Sequence, residues 1–491
     1  MKKFNAYVLF MLFNCTISFP GLAANIIHAD NAFLEKDYVT ALAEYKKAAK
    51  IGNAKAFYQL SKIYHQGLGT EKNELLGIVW MAVAAEYQYD NAVVNLEKMQ
   101  KSLAPNKRSK IETIINRYVQ EYSKLSINEK FFPKLIDNKL AEKIQLSSDD
   151  SVEFFSEQNV TTAVDEPLDL SDDLLSEDGA EEDFAEDVSE LPINMPYYLV
   201  AEYDIGPDGS VRDVYAAFSI GDDEYALEQL SITPVSKPVF AGSNVYFINR
   251  SIMGISNTDT ISMRRNNTEF YTSTLRYVGK IKDSDQAVDN YNHALALMHF
   301  PWLRGKDETI DELLISSAKQ GFALAQYEYG LKLYRQQTAP KQAVYWISEA
   351  AKQGITKAQY RLARLLLDSP WVERDINKAY FWLSQAALKK HTVAVRKLAE
   401  LKLTTKGSSV YDPKGAMMLL NTIASEQSGN PEYRYALALA YAKPENRQFA
   451  YAVANLKKAI SLAESFHWDT QDWRALLNKW TSGGTVTVTD I

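Results

Sequence analysis

The sequence predicts a mainly α protein: two α-solenoid arrays of paired helices flanking a small α+β module. Three observations carry that prediction. A phrase of small and aromatic residues recurs at intervals of 33 and 36 residues, a stretch of period-two alternation interrupts the recurrence, and a run of acidic residues separates the first array from everything after it. At 491 residues and 46% hydrophobic, the chain is long enough for about three cores.

Residues 1–24 read as a secretory leader. Lys2 and Lys3 precede an apolar run from Ala6 to Phe19, broken by Asn14, and the small residues of "GLAAN" follow, so cleavage is expected after Ala24. An apolar run of that length spans roughly 21 Å as a helix, short of a ~30 Å hydrocarbon core, so the mature chain is expected to have no membrane span. The only cysteine, Cys15, lies inside this leader. The mature chain then has no disulfide, thiolate metal site or cysteine nucleophile, and the periplasm is the expected location.

The first array is placed at 26–146 and the second at 284–480. "AQYEYG" (Ala325 to Gly330), "AQYRLA" (Ala358 to Ala363) and "AVRKLA" (Ala394 to Ala399) share one pattern, and "AFYQLS" (Ala56 to Ser61) repeats it near the N-terminus. A second helical segment follows each, beginning at Gly77, Ala343, Ala379 and Ala416. Trp80, Trp346 and Trp382 take the same place in three of these, with Ala84–Ala85, Ala350–Ala351 and Ala386–Ala387 one turn later. Small residues recurring on one face let helices approach closely, and the Trp fills the space between successive pairs. A period of this length marks a solenoid. Tyr58, Tyr327 and Tyr360 recur at a fixed repeat position, which is the signature of core residues.

Ala56, Leu60, Tyr64, Gly67, Gly69, Trp80, Ala84 and Ala85 resemble the Sel-one-like subclass of tetratricopeptide repeats, in which a Gly-x-Gly turn joins the two helices. In the second array the likeness is looser, because "YRQQTAPKQ", "LLLDSPWVERD" and "ELKLTTKGSSVYD" replace the glycine turns. The resemblance implies a scaffold whose concave face binds a protein or peptide. Gln326, Lys332, Arg361 and Arg364, at variable positions of first helices, are the candidate binding residues.

Between Ile144 and Val211 there is no Lys or Arg, while 149–190 carries 17 acidic residues. Such a segment repels itself and holds little apolar surface, so 147–191 is expected to be an acidic disordered linker. The readings are a solvated spacer, a weak cation binder or an acidic bait for a partner; no spaced series of calcium-loop ligands is present. The net charge of −8 includes these 17 acids, so the remainder carries +9. No basic cluster with interleaved aromatics points to nucleic acid.

The central module is placed at 192–282. "YYLVAEYDIGPDGSVRDVYAAFS" alternates on both sides of Pro207-Asp208-Gly209, a hairpin signal, and is followed by a short helix in "DDEYALEQL" and a strand in "SNVYFINRSIMGI". The order of Asp-Gly turn, Val211, Ser219, Ala226, Leu227, Pro234 and Gly242 resembles the C-terminal domain of TonB. "SITPVSKP" departs from that family after the helix. This resemblance implies an outer-membrane receptor or a TonB-system component as partner. A generic α+β insertion is the alternative.

The six histidines, His28, His65, His293, His299, His391 and His467, show no ligand spacing, and neither a phosphate-cradling glycine loop nor Gly-x-Ser-x-Gly occurs. The expectation is therefore a non-enzymatic envelope scaffold without metal or cofactor. Its alternatives are a periplasmic or cell-wall-associated binding protein unrelated to TonB, and a hydrolase with an unrecognised site. The tail, 481–491, alternates Thr with Val after Gly483 and Gly484, which suits either a strand added to the central sheet or a frayed end.

Overall fold

The computed structural model describes residues 25–103, 105–146, 197–254, 260–304 and 309–482. The leader, the acidic linker and residues 483–491 of the tail lie outside these residues.

The first array comprises α1 (Ile26–Leu34), α2 (Tyr38–Lys50), α3 (Ala54–Gln66), α4 (Glu74–Glu86), α5 (Ala92–Lys101), α6 (Pro105–Glu121) and α7 (Lys124–Phe131). Each of α1 to α4 starts on an Asn or Asp whose side chain accepts from the N–H three residues on: Asn25, Asp37, Asn53 and Asn73. Such caps satisfy an otherwise orphaned donor and contribute about 1 kcal/mol each. The Gly-x-Gly turn has two separate causes. Gly67 ends α3 in the left-handed region, and at Gly69 a Cβ would lie 2.7 Å from the Tyr38 carbonyl carbon, so the turn can press onto α2 only without one. Phe57, Trp80, Tyr87, Tyr118 and Tyr122 then close the array's core ring against ring.

The central module holds two small sheets. In the larger, β2 (Tyr198–Ile205) lies between β3 (Val211–Ile220) and β6 (Phe247–Gly254), all antiparallel. The Asp-Gly turn closes β2 onto β3, with Gly209 at φ +82° and the Gly206 N–H donating to the Ser210 carbonyl at 2.8 Å. Every residue of β2 is buried. Helix α8 (Glu224–Ile232) packs on β3, and its Ala226 and Leu230 join Leu199, Ala201, Tyr203 and Ile205 in one core. The smaller sheet has the order β1 (Gln145–Leu146), β4 (Pro238–Phe240), β5 (Ser243–Asn244), so residues from before and after the linker pair in it.

Two helices, α9 (Thr260–Asn266) and α10 (Thr268–Ile281), lead into the second array. This contains α11 (Ala287–His299), α12 (Ile310–Lys319), α13 (Ala323–Gln336), α14 (Pro340–Lys352), α15 (Thr356–Asp368), α16 (Ile376–Leu388), α17 (Thr392–Thr404), α18 (Pro413–Thr422), α19 (Ala424–Gln427), α20 (Pro431–Ala442), α21 (Phe449–Ser465) and α22 (Gln471–Thr481). The repeated phrase is a junction between helix pairs. Gly321 and Gly354 turn the chain at φ +88° and +89°, and five residues later Gln326 and Gln359 donate back to the last-turn carbonyls of Ala318 and Ala351, at 3.1 and 3.3 Å. Each pair thus caps the helix before it. Gly330 lets α13 approach α14, since a Cβ there would lie 2.9 Å from the Ile347 nitrogen.

The two arrays are tied by a strap, residues 131–146. Phe131 and Phe132 pack on Phe381 and Trp382, and the Trp382 indole N–H donates to the Phe131 carbonyl at 2.6 Å. The Ile136 N–H donates to the Trp371 carbonyl at 2.9 Å, and the Trp371 indole donates to the Glu142 carbonyl at the same distance. Gln337 then brackets the backbone of Ile144, accepting from its N–H and donating to its carbonyl at 3.0 Å. Of the repeat tryptophans, Trp80 and Trp382 are buried, whereas Trp346 is half-buried, with its ring against Tyr329 and Tyr345.

Trp382→Ala should destabilise the protein by about 3–5 kcal/mol, since a fully buried ring also loses its bond to the strap. Urea titration checks this, and an unchanged midpoint would show that strap and array do not fold together.

Candidate functional site

Helices α13, α15, α17 and α20 are the first members of successive pairs, and together they form the inner face of the second array. In the structure this face holds the central sheet. The meeting is charged, and each helix supplies at least one partner. On α13, Glu328 takes Arg250 of β6, which also reaches Glu202 of β2; all three side chains are buried. On α15, Arg361 and Arg364 converge on Asp204 of β2, Arg364 at 3.1 Å. On α17, Arg396 takes Asp213 of β3, and Lys397 reaches Glu432 at 2.7 Å. On α20, Glu432 takes Arg212 of β3 at 2.8 Å. Arg212 also lies 4.4 Å above the Trp468 ring and 3.1 Å from Asp208 in the hairpin turn.

Alternation along β2 explains the arrangement. Tyr198, Val200, Glu202 and Asp204 share one face, and Leu199, Ala201, Tyr203 and Ile205 share the other, packed with α8. Repeat geometry supplies part of the complement: Glu328 and Arg361 each stand three residues after a repeat alanine, at Ala325 and Ala358, while on α17 the residue that meets the sheet, Arg396, stands two after Ala394.

The electrostatics follow from burial and pairing. Burial alone would raise the Glu202 carboxyl, but Arg250 and Arg335 outweigh it and hold it down at about 2. Asp204 and Glu432 are likewise lowered against their burial, by Arg361 and Arg364 and by Lys397 and Arg396. Two histidines go the other way in effect. Burial, reinforced by Arg250, lowers His299 to about 4, and burial, reinforced by Arg361, lowers His391 to about 4. His391 stacks on Tyr360 and uses Nδ1 to accept from the Ala394 N–H at 3.2 Å, a cap that requires the neutral ring. Asp213 and Lys357 also act on it, with opposite signs.

A second concavity is open. Between the first array and α14 lies a cleft of about 660 Å³, walled by Lys55, Tyr87, Tyr89 and Lys124 on one side, Phe132, Pro133 and Leu135 of the strap at its base, and Gln320, Gln326, Lys341, Tyr345 and Gln353 on the other. Its two walls meet where the Asn53 side-chain amide donates to the Lys352 carbonyl at 3.4 Å and the Ile26 N–H to the Gln353 carbonyl at 3.3 Å.

The four candidate binding residues do not form one surface. Arg361 and Arg364 are buried on Asp204 of the same chain. Lys332 is buried along its stem, with its ammonium 2.8 Å from Asp311. Gln326 spends its amide on Ala318 and accepts from Gln353 at 2.7 Å, and it is the member that borders the open cleft. Residues the sequence reading did not single out carry the interface: Glu202 and Asp204 on an otherwise apolar strand, with Arg250, Arg396 and Glu432. Two carboxylates at period two within "LVAEYDI" were the available signal, because a buried strand face tolerates them only opposite cations. Tyr58, Tyr327 and Tyr360 are buried.

Among known proteins, the Sel1 repeat family model matches residues 54–86, 322–355 and 356–391. These are α3–α4, α13–α14 and α15–α16 with their junctions, so the chain carries Sel1 repeats in both arrays. A protective antigen present in uropathogenic Escherichia coli strains, displaying an SLR fold, is similar at 15% identity, over 90% of this chain and 72% of its own, with a TM-score of 0.32. A Sel1 repeat protein from Oxalobacter formigenes is similar at 17% identity, over 44% of this chain and 98% of its own, with a TM-score of 0.33. No curated protein matches the chain.

Asp204→Ala should cost about 3–5 kcal/mol in urea titration, because it strands the buried Arg361 guanidinium and leaves Arg364 with Asp368 alone, at 2.6 Å. Replacing the trio together, by Asp204→Leu, Arg361→Met and Arg364→Leu, should recover most of that loss. Acid should act in two windows. For His299 and His391 the folded value lies below the unfolded one, so their stability is complete above about pH 6.5 and is lost as pH falls toward 4. Between pH 7 and 5 this amounts to about 2 kcal/mol for His299 and less for the partly exposed His391. The paired carboxylates give way only below about pH 4. His391→Asn keeps a cap acceptor and should remove the smaller, His391 share of the upper window while the His299 share remains, read as the urea midpoint against pH.

Proposed function

We propose that this protein is a scaffold of the cell envelope whose partner protein docks in the cleft between the first array and α14. The observation that carries the reading is that the inner face of the second array, the customary docking face of a helix-pair repeat, is filled by the chain's own β2 and β3. The cleft is a concave surface left open between the arrays. Its α14 wall offers Tyr345, 54% exposed, in a setting of lysines and glutamines. Aromatic rings with polar rims are the usual anchors of protein interfaces. Export to the periplasm is supported by the leader pattern of residues 1–24, and no described helix is long and apolar enough to cross a membrane. No residue is assigned a catalytic role.

The finer reading links the central module to TonB-dependent transport, through an outer-membrane receptor or a TonB-system component. The hairpin, helix and strand order of 198–254 supports it. An envelope binding protein unrelated to TonB is favoured by the burial of β2 and of the charged part of β3, which leaves Phe218 and Ile220 at the outer end of β3 as the module's exposed apolar strand residues.

A photo-crosslinking residue at position 345 should capture a partner from periplasm, while the same residue at position 418, on the outer groove between α16 and α18, should not. Capture at 418 alone would move the docking surface to that groove. A receptor or TonB-system component among the captured proteins would support the finer reading, and cell-wall proteins would support the alternative.

A further inference from the structure

We propose that the cleft's resident ligand is the acidic segment 149–190 of the same chain. The inference rests on the reading of the cleft as the docking surface and names the chemistry that surface recognises: an acidic peptide bearing aromatic residues.

Charge is the first ground. Four lysines line the cleft, Lys55, Lys124, Lys341 and Lys352, against the single carboxylate of Glu349. Lys55 is paired with Asp30 and Lys352 with Glu349. Lys124 and Lys341 are exposed and have no carboxylate partner among the described residues; the Lys124 ammonium stands 5.4 Å from the centre of the Tyr87 ring. The segment supplies 17 carboxylates and no cation, against a remainder of +9. Its surplus has one large counterpart within reach, the rest of its own chain.

The second ground is apolar complementarity. The cleft exposes ring surface of Tyr87, Tyr89 and Tyr345 between its lysines. The segment places Phe154, Phe155 and Phe184 among its acids, so one strand of it can set rings against rings while its carboxylates meet ammonium groups.

Reach is the third. The chain passes through the cleft's own wall at Phe132, Pro133 and Leu135, is pinned at Ile144 by Gln337, and leaves the described structure at Leu146. Phe154 is eight residues further on, up to about 26 Å of extended chain from Leu146, and the rest of the segment reaches further. A ligand tethered this closely acts at an effective concentration of about millimolar, so even a weak site is occupied.

The test uses a fluorescent peptide with the sequence of residues 149–166 and two full-length proteins: the natural chain, and one with every Asp and Glu from 149 to 190 changed to Asn and Gln. The neutralised chain should bind the peptide, and the natural chain at least tenfold more weakly. Adding Lys124→Glu and Lys341→Glu to the neutralised chain should weaken binding at least tenfold with an unchanged thermal midpoint, and raising NaCl from about 50 to about 300 mM should weaken it as well. Equal binding by both chains, no binding by the neutralised chain, or binding indifferent to the two lysines would each overturn the proposal. A difference between the chains that appears only as protein concentration rises would also overturn it, assigning the ligand to a second copy. The cleft as partner surface is read separately, by crosslinking from position 345 in the neutralised chain, and it can stand or fall independently of the peptide result.

Discussion

Asp204, between Arg361 and Arg364, is the contact on which the rest of the structure depends. A guanidinium withdrawn from water is tolerated only where a carboxylate meets it, so two arginines on one helix and one aspartate on one strand leave a single way to seat the sheet. Shifting β2 by one residue would turn Glu202 and Asp204 toward Ala226 and Leu230, and Leu199 and Ile205 toward the arginines. Such pairs add little net stability over apolar residues of equal size. Their effect is on register: Glu328, Arg361, Arg396 and Glu432 read the sheet one repeat at a time, as a solenoid ordinarily reads a bound peptide.

Several features of the molecule follow from that seating. With the sheet inside the second array, the chain that precedes it must pass along the array's flank, and the strap does so, donating and accepting at Trp371, Trp382 and Gln337. The strap in turn holds the first array against the end of α14 and forms the base of the cleft. A protein with two repeat arrays therefore presents one groove filled by its own sheet and an open cleft whose walls offer a partner unspent lysines and rings.

Much of this was legible in the sequence and some of it was not, for physical reasons. Helix pairs were readable because Ala, Gly and Trp recur where close approach demands them, and the Asp-Gly hairpin because its turn requires a positive φ. Helices α9 and α10 were missed: 260–281 is rich in Thr, Ser and Tyr, and the helical spacing of Phe270, Tyr277, Val278 and Ile281 along α10 was passed over. Arg361 and Arg364 stood out as variable inner-face cations, which they are; that their anion lies 157 and 160 residues earlier in the same chain is a matter of tertiary pairing that periodicity does not encode. The strap was equally silent, since its contacts to Trp371 and Trp382 run through backbone carbonyls, which every residue possesses.

Amide hydrogen exchange on the full chain tests the central claim most directly, that the sheet is an integral part of the second array. If it is, the amides of β2 that bond to β3 and β6 exchange only when the array unfolds, with the same opening free energy as the core amides of α15 and the same response to denaturant. Exchange of β2 through a separate, much cheaper opening, while α15 stays protected, would show that the sheet leaves the groove on its own and would contradict the account.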